Sequence, residues 1–283
     1  MPELPEVETV RRSLLPHVLD RRISGLRLGD FPGVLGSDSV DQVAARITGR
    51  RIAGLDRRAK YLLFGLDDDS TVMIHLRMTG QLSVVHHNNP RLRFEHLAIE
   101  LNDGHDLRFA DQRKFGRVLH LLPADVEALD RRLGPEPLSA AFSAHLLATA
   151  LARRPGKLKS VLLDQSLVAG LGNIYVDEAL FRSRLHPERS ARSLTSNEVR
   201  RLHRAIRAVL RDSLDHRGTT FSSFQDANGA AGGYGTALAV YGRGGSGACQ
   251  RCGRPLAKII VGGRGTHFCP RCQRLDPASG TAG

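Results

Sequence analysis

Cysteine occurs at four positions only, arranged as Cys249-Gln-Arg-Cys252, sixteen intervening residues, then Cys269-Pro-Arg-Cys272. Each CxxC knuckle presents two thiolates from one tight turn. Two knuckles on facing strands therefore close a tetrahedral four-thiolate shell around one Zn2+. Such a shell leaves no open position, so the expected zinc is structural rather than catalytic. Gly253, Pro255, Gly262, Gly263 and Pro270 surround the thiols, which suits a zinc ribbon better than the packed core where ordinary cysteines sit. With all cysteines reserved there, none is left for a disulfide framework, and a reducing compartment is expected. Arg251, Arg254, Lys258, Arg264 and Arg271 crowd the same module, so it is expected to offer positive charge to phosphates.

The rest of the chain must supply its own cores, and 283 residues at 41% hydrophobic content suffice for two domains. Lys and Arg number 41 against 29 acidic residues, a net charge of +12 spread along the chain, which points to a polyanionic partner. Charge alone would also fit a merely solvated basic surface. No apolar run approaches the roughly 20 residues that span a bilayer, and the start MPELPEVET lacks the basic-then-apolar pattern of a secretory signal. A cytoplasmic protein without membrane contact is expected.

After two prolines, Val7, Val10 and Leu14 fall at helical spacing, and Pro16 is expected to end that helix. Short β-type runs follow: Tyr61 to Leu66, Val72 to Met78, Leu82 to Val85, His96 to Leu101 and Arg117 to Leu122. Repeated short strands argue for a sandwich or barrel. Gly134, Pro135 and Pro137 interrupt periodicity and mark an interdomain linker. Beyond it, Thr195 and Glu198 form a capping box, and Val199, Leu202, Ile206, Leu210 and Leu214 line one helix face before Gly218. The division expected is a β-sandwich domain over 1–130, a linker over 131–139, a helical domain over 140–235, the zinc finger over 236–275 and a disordered tail over 276–283.

Glu3, Glu6 and Glu8 sit beside Pro2. If Met1 is removed, Pro2 becomes a free secondary amine with an unperturbed pKa of about 8, so a useful fraction is an unprotonated nucleophile at neutral pH. The plain alternative is that Pro2 and Pro5 only start a helix whose dipole the glutamates favour.

The segments PELPEVETVRR (2–12), RRAKYLL (57–63), HLRMTG (75–80), ADQRKFG (110–116), LVAGLGNIYVDEALF (167–181) and GRGTHFCPRCQ (263–273) closely resemble the bacterial formamidopyrimidine-DNA glycosylase family, in family order. The resemblance implies an α+β multidomain fold: an N-terminal β-sandwich with an N-terminal helix, then a helical domain with a helix-two-turns-helix motif and a zinc-ribbon finger. It implies a monomer acting on double-stranded DNA that contains oxidised bases or abasic sites. Pro2 would attack C1′ of the damaged nucleotide, Glu3 would donate a proton to the sugar, and Glu6 would orient the amine and water. Lys60 matches the lysine of β-elimination and Arg264 the zinc-finger arginine that grips phosphates. Met78, Arg113 and Phe115 match the triad that fills the hole left by the extruded nucleotide. Asn173, Arg154 and Lys159 match DNA-facing positions, and Tyr234 lies in a glycine-rich lid with Gly229, Gly232, Gly233 and Gly235.

Two positions depart from the family pattern. Arg93-Phe94-Glu95-His96 stands where a KHDH-like string has a phosphate-binding histidine, so that contact is lost or passes to His96 or Arg93. Lys114 replaces a second arginine. The alternatives are an endonuclease VIII-type glycosylase for oxidised pyrimidines and a non-catalytic DNA-binding zinc-ribbon protein.

Overall fold

The computed structural model describes residues 1–221 and 224–275; the tail expected at 276–283 lies outside them. The chain divides into two compact units, 1–131 with 216–235, and 132–215 with 236 onward.

The first unit opens with α1 (Leu4–Val18), which has Glu3 at its N-cap and a proline in its first turn. Val7, Val10, Leu14 and Val18 are all buried along one stripe. The helix runs past Pro16 to Val18, contrary to expectation. Only one backbone hydrogen bond is forfeited so near the end, and burial of Val18 favours the extra turn. Two antiparallel four-stranded sheets follow. One joins β1 (Ile23–Leu28), β6 (Glu95–Leu101), β7 (His105–Asp111) and β5 (Gly80–His86) in that order; the other joins β2 (Ile52–Arg58), β3 (Tyr61–Leu66), β4 (Thr71–His75) and β8 (Arg117–Leu121). Ile99, Leu107 and Phe109 from the first sheet and Leu62, Phe64 and Ile74 from the second share one core with α1, the expected sandwich. Two helices, α2 (Val40–Ile47) and α3 (Pro123–Arg132), complete the unit.

Residues 216–235 pack with this unit, whereas the sequence reading grouped them with the helices. The reason is polar anchoring to α1: the Thr219 amide donates to Glu6 (2.8 Å) and the Ala227 amide to Ser13 Oγ (3.0 Å).

The second unit holds α4 (Ala144–Ala152), α5 (Leu158–Leu162), α6 (Asn173–Ser183), α7 (Ser196–Asp215) and the hairpin β9 (Ala257–Val261)–β10 (Arg264–Phe268). The capping box forms, with Thr195 N donating to Glu198 (2.8 Å), and Val199, Leu202, Ile206 and Leu210 face inward. Between α5 and α6 the chain makes its turns around Gln165, whose amide nitrogen donates to the Leu163 (3.0 Å) and Leu171 (2.8 Å) carbonyls and whose oxygen accepts from Gly170 N (3.0 Å). One polar side chain thus fixes the entry to α6.

Candidate functional site

In the first unit, the polypeptide start is buried apart from Met1. Glu3 is 2% and Glu6 1% exposed, whereas Met1 is 45% exposed. The two Glu6 oxygens are divided: Oε2 accepts from Glu3 N and Oε1 from Thr219 N, both at 2.8 Å. Glu6 therefore joins the helix start to the 216–235 loop. Gly218 makes this approach possible, since it sits at φ +82° and a Cβ there would stand 2.9 Å from Glu6 Oε1. Above the anchor the loop folds back on itself, with Tyr234 N donating to Gly218 O (2.9 Å) and Gly232 N to Thr220 Oγ1 (2.9 Å). Tyr234 is 2% exposed at the base of this loop, its ring beside that of His216.

Lys60 lies at the β2–β3 turn, next to Ala59 at φ +53°, and is buried. Its neighbour Tyr61 pairs across strands with His75, the rings meeting edge to face at 4.7 Å. Burial, and then the nearby Arg77 and Lys60 charges, push His75 down to about 3. The imidazole is therefore neutral at physiological pH, and its Nδ1 accepts from Arg77 N (2.9 Å).

Met78 and the Arg113–Phe115 pair sit on two turns, one entering β5 and one leaving β7. Buried Asp111 clasps them. Its Oδ1 accepts from Thr79 Oγ1 (2.5 Å) and Arg113 N (3.1 Å), and its Oδ2 from Phe115 N (2.8 Å) and Gly116 N (2.7 Å). Gly116 is required because a Cβ would fall 2.3 Å from the Phe109 ring. The turn displays Phe115 at 47% exposure with the Arg113 guanidinium 4.8 Å over its ring. An apolar ring held out in water beside a cation is poised for a partner rather than for a core. His96, by contrast, is buried, with Nε2 on the Asp111 carbonyl (2.8 Å); Arg93 is the exposed cation of that string, stacked over Phe94.

In the second unit, Asn173 opens α6 and its amide donates to the Gly265 carbonyl (3.0 Å). Lys159 does not face outward, as its match to a DNA-facing position implied. It is fully buried, 2.7 Å from Asp177, and donates to the same Gly265 carbonyl (3.1 Å). The Asp177 carboxylate in turn accepts from His267 N (2.9 Å). These bonds dock β10 on α6 and leave Arg264 exposed beside the Gly262-Gly263 turn. Arg154 is half-buried, paired with Asp164 and donating to Ser166 Oγ (2.8 Å).

The four cysteine sulfurs lie within 4.8 Å of one another. Cys252 and Cys269 are 3.6 Å apart and Cys249 and Cys272 3.9 Å, against a tetrahedral edge of about 3.8 Å implied by a zinc–sulfur bond of about 2.3 Å. Burial, followed by the neighbouring thiols, pushes Cys272 up to about 12, so the group needs a cation before all four can be thiolates. The quartet fits one structural zinc, and no other such group occurs among the described residues.

Family models match most of the chain: the formamidopyrimidine-DNA glycosylase N-terminal domain over residues 1–118, the H2TH domain of the same enzymes over 133–225, and the zinc finger found in FPG and IleRS over 248–275. The formamidopyrimidine-DNA glycosylase of Herpetosiphon aurantiacus is 48% identical over 273 residues, covering 96% of this chain and 100% of the relative. That of Symbiobacterium thermophilum is 49% identical, covering 96% and 89%. The chain belongs to the formamidopyrimidine-DNA glycosylase family. Among solved structures, a complex of the Lactococcus lactis enzyme with a THF-DNA and an inhibitor superposes with a TM-score of 0.90 at 38% identity, covering 97% of this chain and 100% of that one. A Lactococcus lactis mutant bound to Fapy-dG containing DNA gives 0.89 at 37%, with the same coverage.

Within this glycosylase frame, sequence reasoning passed over His75 and Asp111. Both lie inside quoted motifs, HLRMTG and ADQRKFG, but neither carries its own signal: His75 needs the facing Tyr61, and Asp111 needs a hydroxyl 32 residues away. Asp177 was passed over for the same reason, its amide donor His267 lying 90 residues away.

Proposed function

We propose that this chain is a bifunctional DNA glycosylase of base-excision repair, which excises oxidised purines such as 8-oxoguanine and formamidopyrimidines from double-stranded DNA and then cleaves the strand. The enzyme class, a DNA glycosylase, follows from the family. The observation that carries the finer reading is the buried start of the first unit, where Glu3, held by Glu6 through its backbone amide, follows a residue 2 whose nitrogen becomes a secondary amine once Met1 is removed.

In that reading the Pro2 nitrogen gives its lone pair to C1′, the C1′–base bond breaks, and the base leaves with its electron pair and takes up a proton. Glu3 protonates the sugar ring oxygen as the ring opens. Removal of a C2′ proton from the resulting iminium expels the 3′ phosphate, and a further elimination expels the 5′ phosphate. Lys60 acts in the first elimination and Arg264 in the second, the guanidinium meeting phosphate as a charged fork. The division of the Glu6 oxygens supports a positioning role, since each is held by a backbone amide, Oε2 by Glu3 N and Oε1 by Thr219 N, which fixes the carboxylate between the helix start and the loop.

Met78, Arg113 and Phe115 fill the space left by the extruded nucleotide. Asn173 holds backbone phosphate at the start of α6. The burial of His96 favours Arg93 as heir to the phosphate contact of the KHDH-like string. Lys159 supports the hairpin tip from beneath, and Arg154 acts with Asp164 and Ser166. Tyr234 stiffens the base of the lid. When bound, zinc fixes the finger fold and takes no part in the chemistry. Among the described residues no helix is long and apolar enough to cross a membrane, which is in keeping with a cytoplasmic enzyme, and a monomer suffices for the reaction.

Borohydride trapping tests this reading. Protein shown by mass spectrometry to lack Met1 is expected to form a covalent adduct with DNA holding 8-oxoguanine opposite cytosine, and Pro2→Gly to form at least about tenfold less. Absence of an adduct with the wild type overturns the nucleophile assignment; a stronger reaction with thymine glycol overturns the purine preference.

A further inference from the structure

The second unit has two poles, set by the length of α6. At its start, Asn173 holds the hairpin tip through Gly265. At its end, Arg251 caps the helix by donating to the Phe181 (2.7 Å) and Arg182 (3.1 Å) carbonyls. Eleven residues separate the poles by roughly 16 Å at 1.5 Å per residue. The hairpin runs the same way, with Arg264 at the tip and the cysteine knuckles at the far end. The lesion-contacting residues proposed above for this unit that can be located on that axis, Asn173 and Arg264, belong to the tip pole.

The knuckle pole carries a cleft of about 400 Å³ lined by Arg184, Arg189, Arg251, Arg271, Arg274 and Glu198, with Cys272. Five guanidinium groups thus face one carboxylate. That carboxylate is already occupied: Arg189 holds it from both nitrogens (2.5 and 3.0 Å), and it caps Thr195. The side chains of Arg184 and Arg271 make no hydrogen bond or ion pair among the described residues, and that of Arg274 reaches only the Arg271 carbonyl. A second cleft lined by Arg182, Arg201 and Arg204 between α6 and α7 continues the strip, joined to the first by Arg201, 4.0 Å from Glu198; there Arg182 is paired with Asp212 (2.8 Å). Scattered surface arginines are ordinarily solvated singly. Here three cations without an ion pair among the described residues, Arg184, Arg271 and Arg274, converge, and an anion lying among them would relieve their mutual repulsion.

We propose that the knuckle pole is a second nucleic-acid contact, taking the phosphodiester backbone of an undamaged duplex while the tip pole serves the lesion strand. An elongated strip of forked donors suits a phosphate backbone better than a single small anion. The assignment rests on the glycosylase reading only for what occupies the tip. One chain would then bridge two DNA segments.

The test compares the zinc-loaded wild type with R184N/R274S. Asparagine tolerates the left-handed backbone of residue 184 (φ +58°), and both side chains are exposed. Sedimentation with a dye-labelled undamaged duplex at low salt is expected to give two duplexes per wild-type chain and one per variant. In the wild type the log affinity of the second site is expected to fall with log salt at a slope of about 2 or steeper, near 0.9 per phosphate contact. Single-turnover excision from a short lesion duplex is expected to be equal in the two proteins. One duplex per wild-type chain, or two per variant, overturns the proposal, as does a second site that takes tripolyphosphate but not duplex. If neither protein excises the lesion, the glycosylase reading fails, yet the duplex count still decides the second contact.

Discussion

Asp111 shows what one carboxylate can organise. Its four acceptor contacts hold three backbone N–H groups and the Thr79 hydroxyl, so Asp111→Ala leaves three turn amides without their anion. Charge-assisted hydrogen bonds contribute about 1.5–3 kcal/mol each and are not additive, so a loss of about 3 kcal/mol is expected in urea unfolding. Because Arg113 and Phe115 are displayed by this turn, the variant is also expected to lose at least about tenfold in kcat/KM on lesion duplex. Catalysis at wild-type level would remove Asp111 from its positioning role. His75 makes a different prediction. Folding lowers its pKa from the ordinary 6.5 to about 3, so the unfolded chain binds the proton more tightly. Its contribution to stability is complete above about pH 6.5 and is lost as pH falls toward 3. The His75 ring resonances in NMR spectra should not titrate between about pH 5 and 8, and His75→Gln should flatten the acid limb of the stability profile. The sequence announced neither residue, because each owes its role to a cross-strand partner that no local pattern encodes.

At the scale of elements, α6 does more than present Asn173. Asp177 receives Lys159 and the His267 amide, and Glu178 accepts from the amides of Ala239, Val240 and Tyr241, each at 2.9 Å. The helix therefore docks both the hairpin and the segment leading into it by buried charge. Lys159→Met would strand the Asp177 carboxylate, a change expected to cost about 3–5 kcal/mol. Adding Asp177→Asn should recover part of that, and urea unfolding of the single and double variants measures both; equal stability of wild type and Lys159→Met would dissolve the ion pair's role. Sequence reading placed Lys159 on a DNA-facing stretch because RRPGKLK is basic and matches a DNA-facing segment of the family, and only the facing Asp177 reveals that it turns inward. The helices were legible where capping and periodicity coincided, as at Thr195 and Glu198. The strand β1 was not: in ISGLRL the burial pattern lacks clean alternation, and a bulge between Ile23 and Gly25 breaks its register.

At the scale of the whole chain, composition gave the polyanionic partner and the cysteine spacing gave the metal, since both are properties that survive ignorance of the fold. The path of residues 216–235 was not readable, because it follows from single hydrogen bonds to Glu6 and Ser13 from amides more than two hundred positions away. Zinc removal supplies the prediction proper to this scale. Chelation is expected to release one Zn2+ per chain and to lower affinity for lesion duplex by at least about tenfold, because the hairpin bearing Arg264 loses the knuckles that close it. Colorimetric zinc release alongside a binding titration checks this, and retention of full affinity by the metal-free protein would contradict it.

Two donors, the Asn173 amide and the Lys159 ammonium, share the Gly265 carbonyl, so the hairpin tip cannot slide along its helix. On the proposed reading, in which Asn173 and Arg264 hold phosphates, the spacing between those grips is constant, and the deoxyribose strand has to do the adjusting. A stiff A-tract resists such adjustment more than a flexible TA or CA step. Identical lesions in different flanking sequences would consequently be repaired at different rates, a bias written into mutation spectra by the rigidity of one carbonyl.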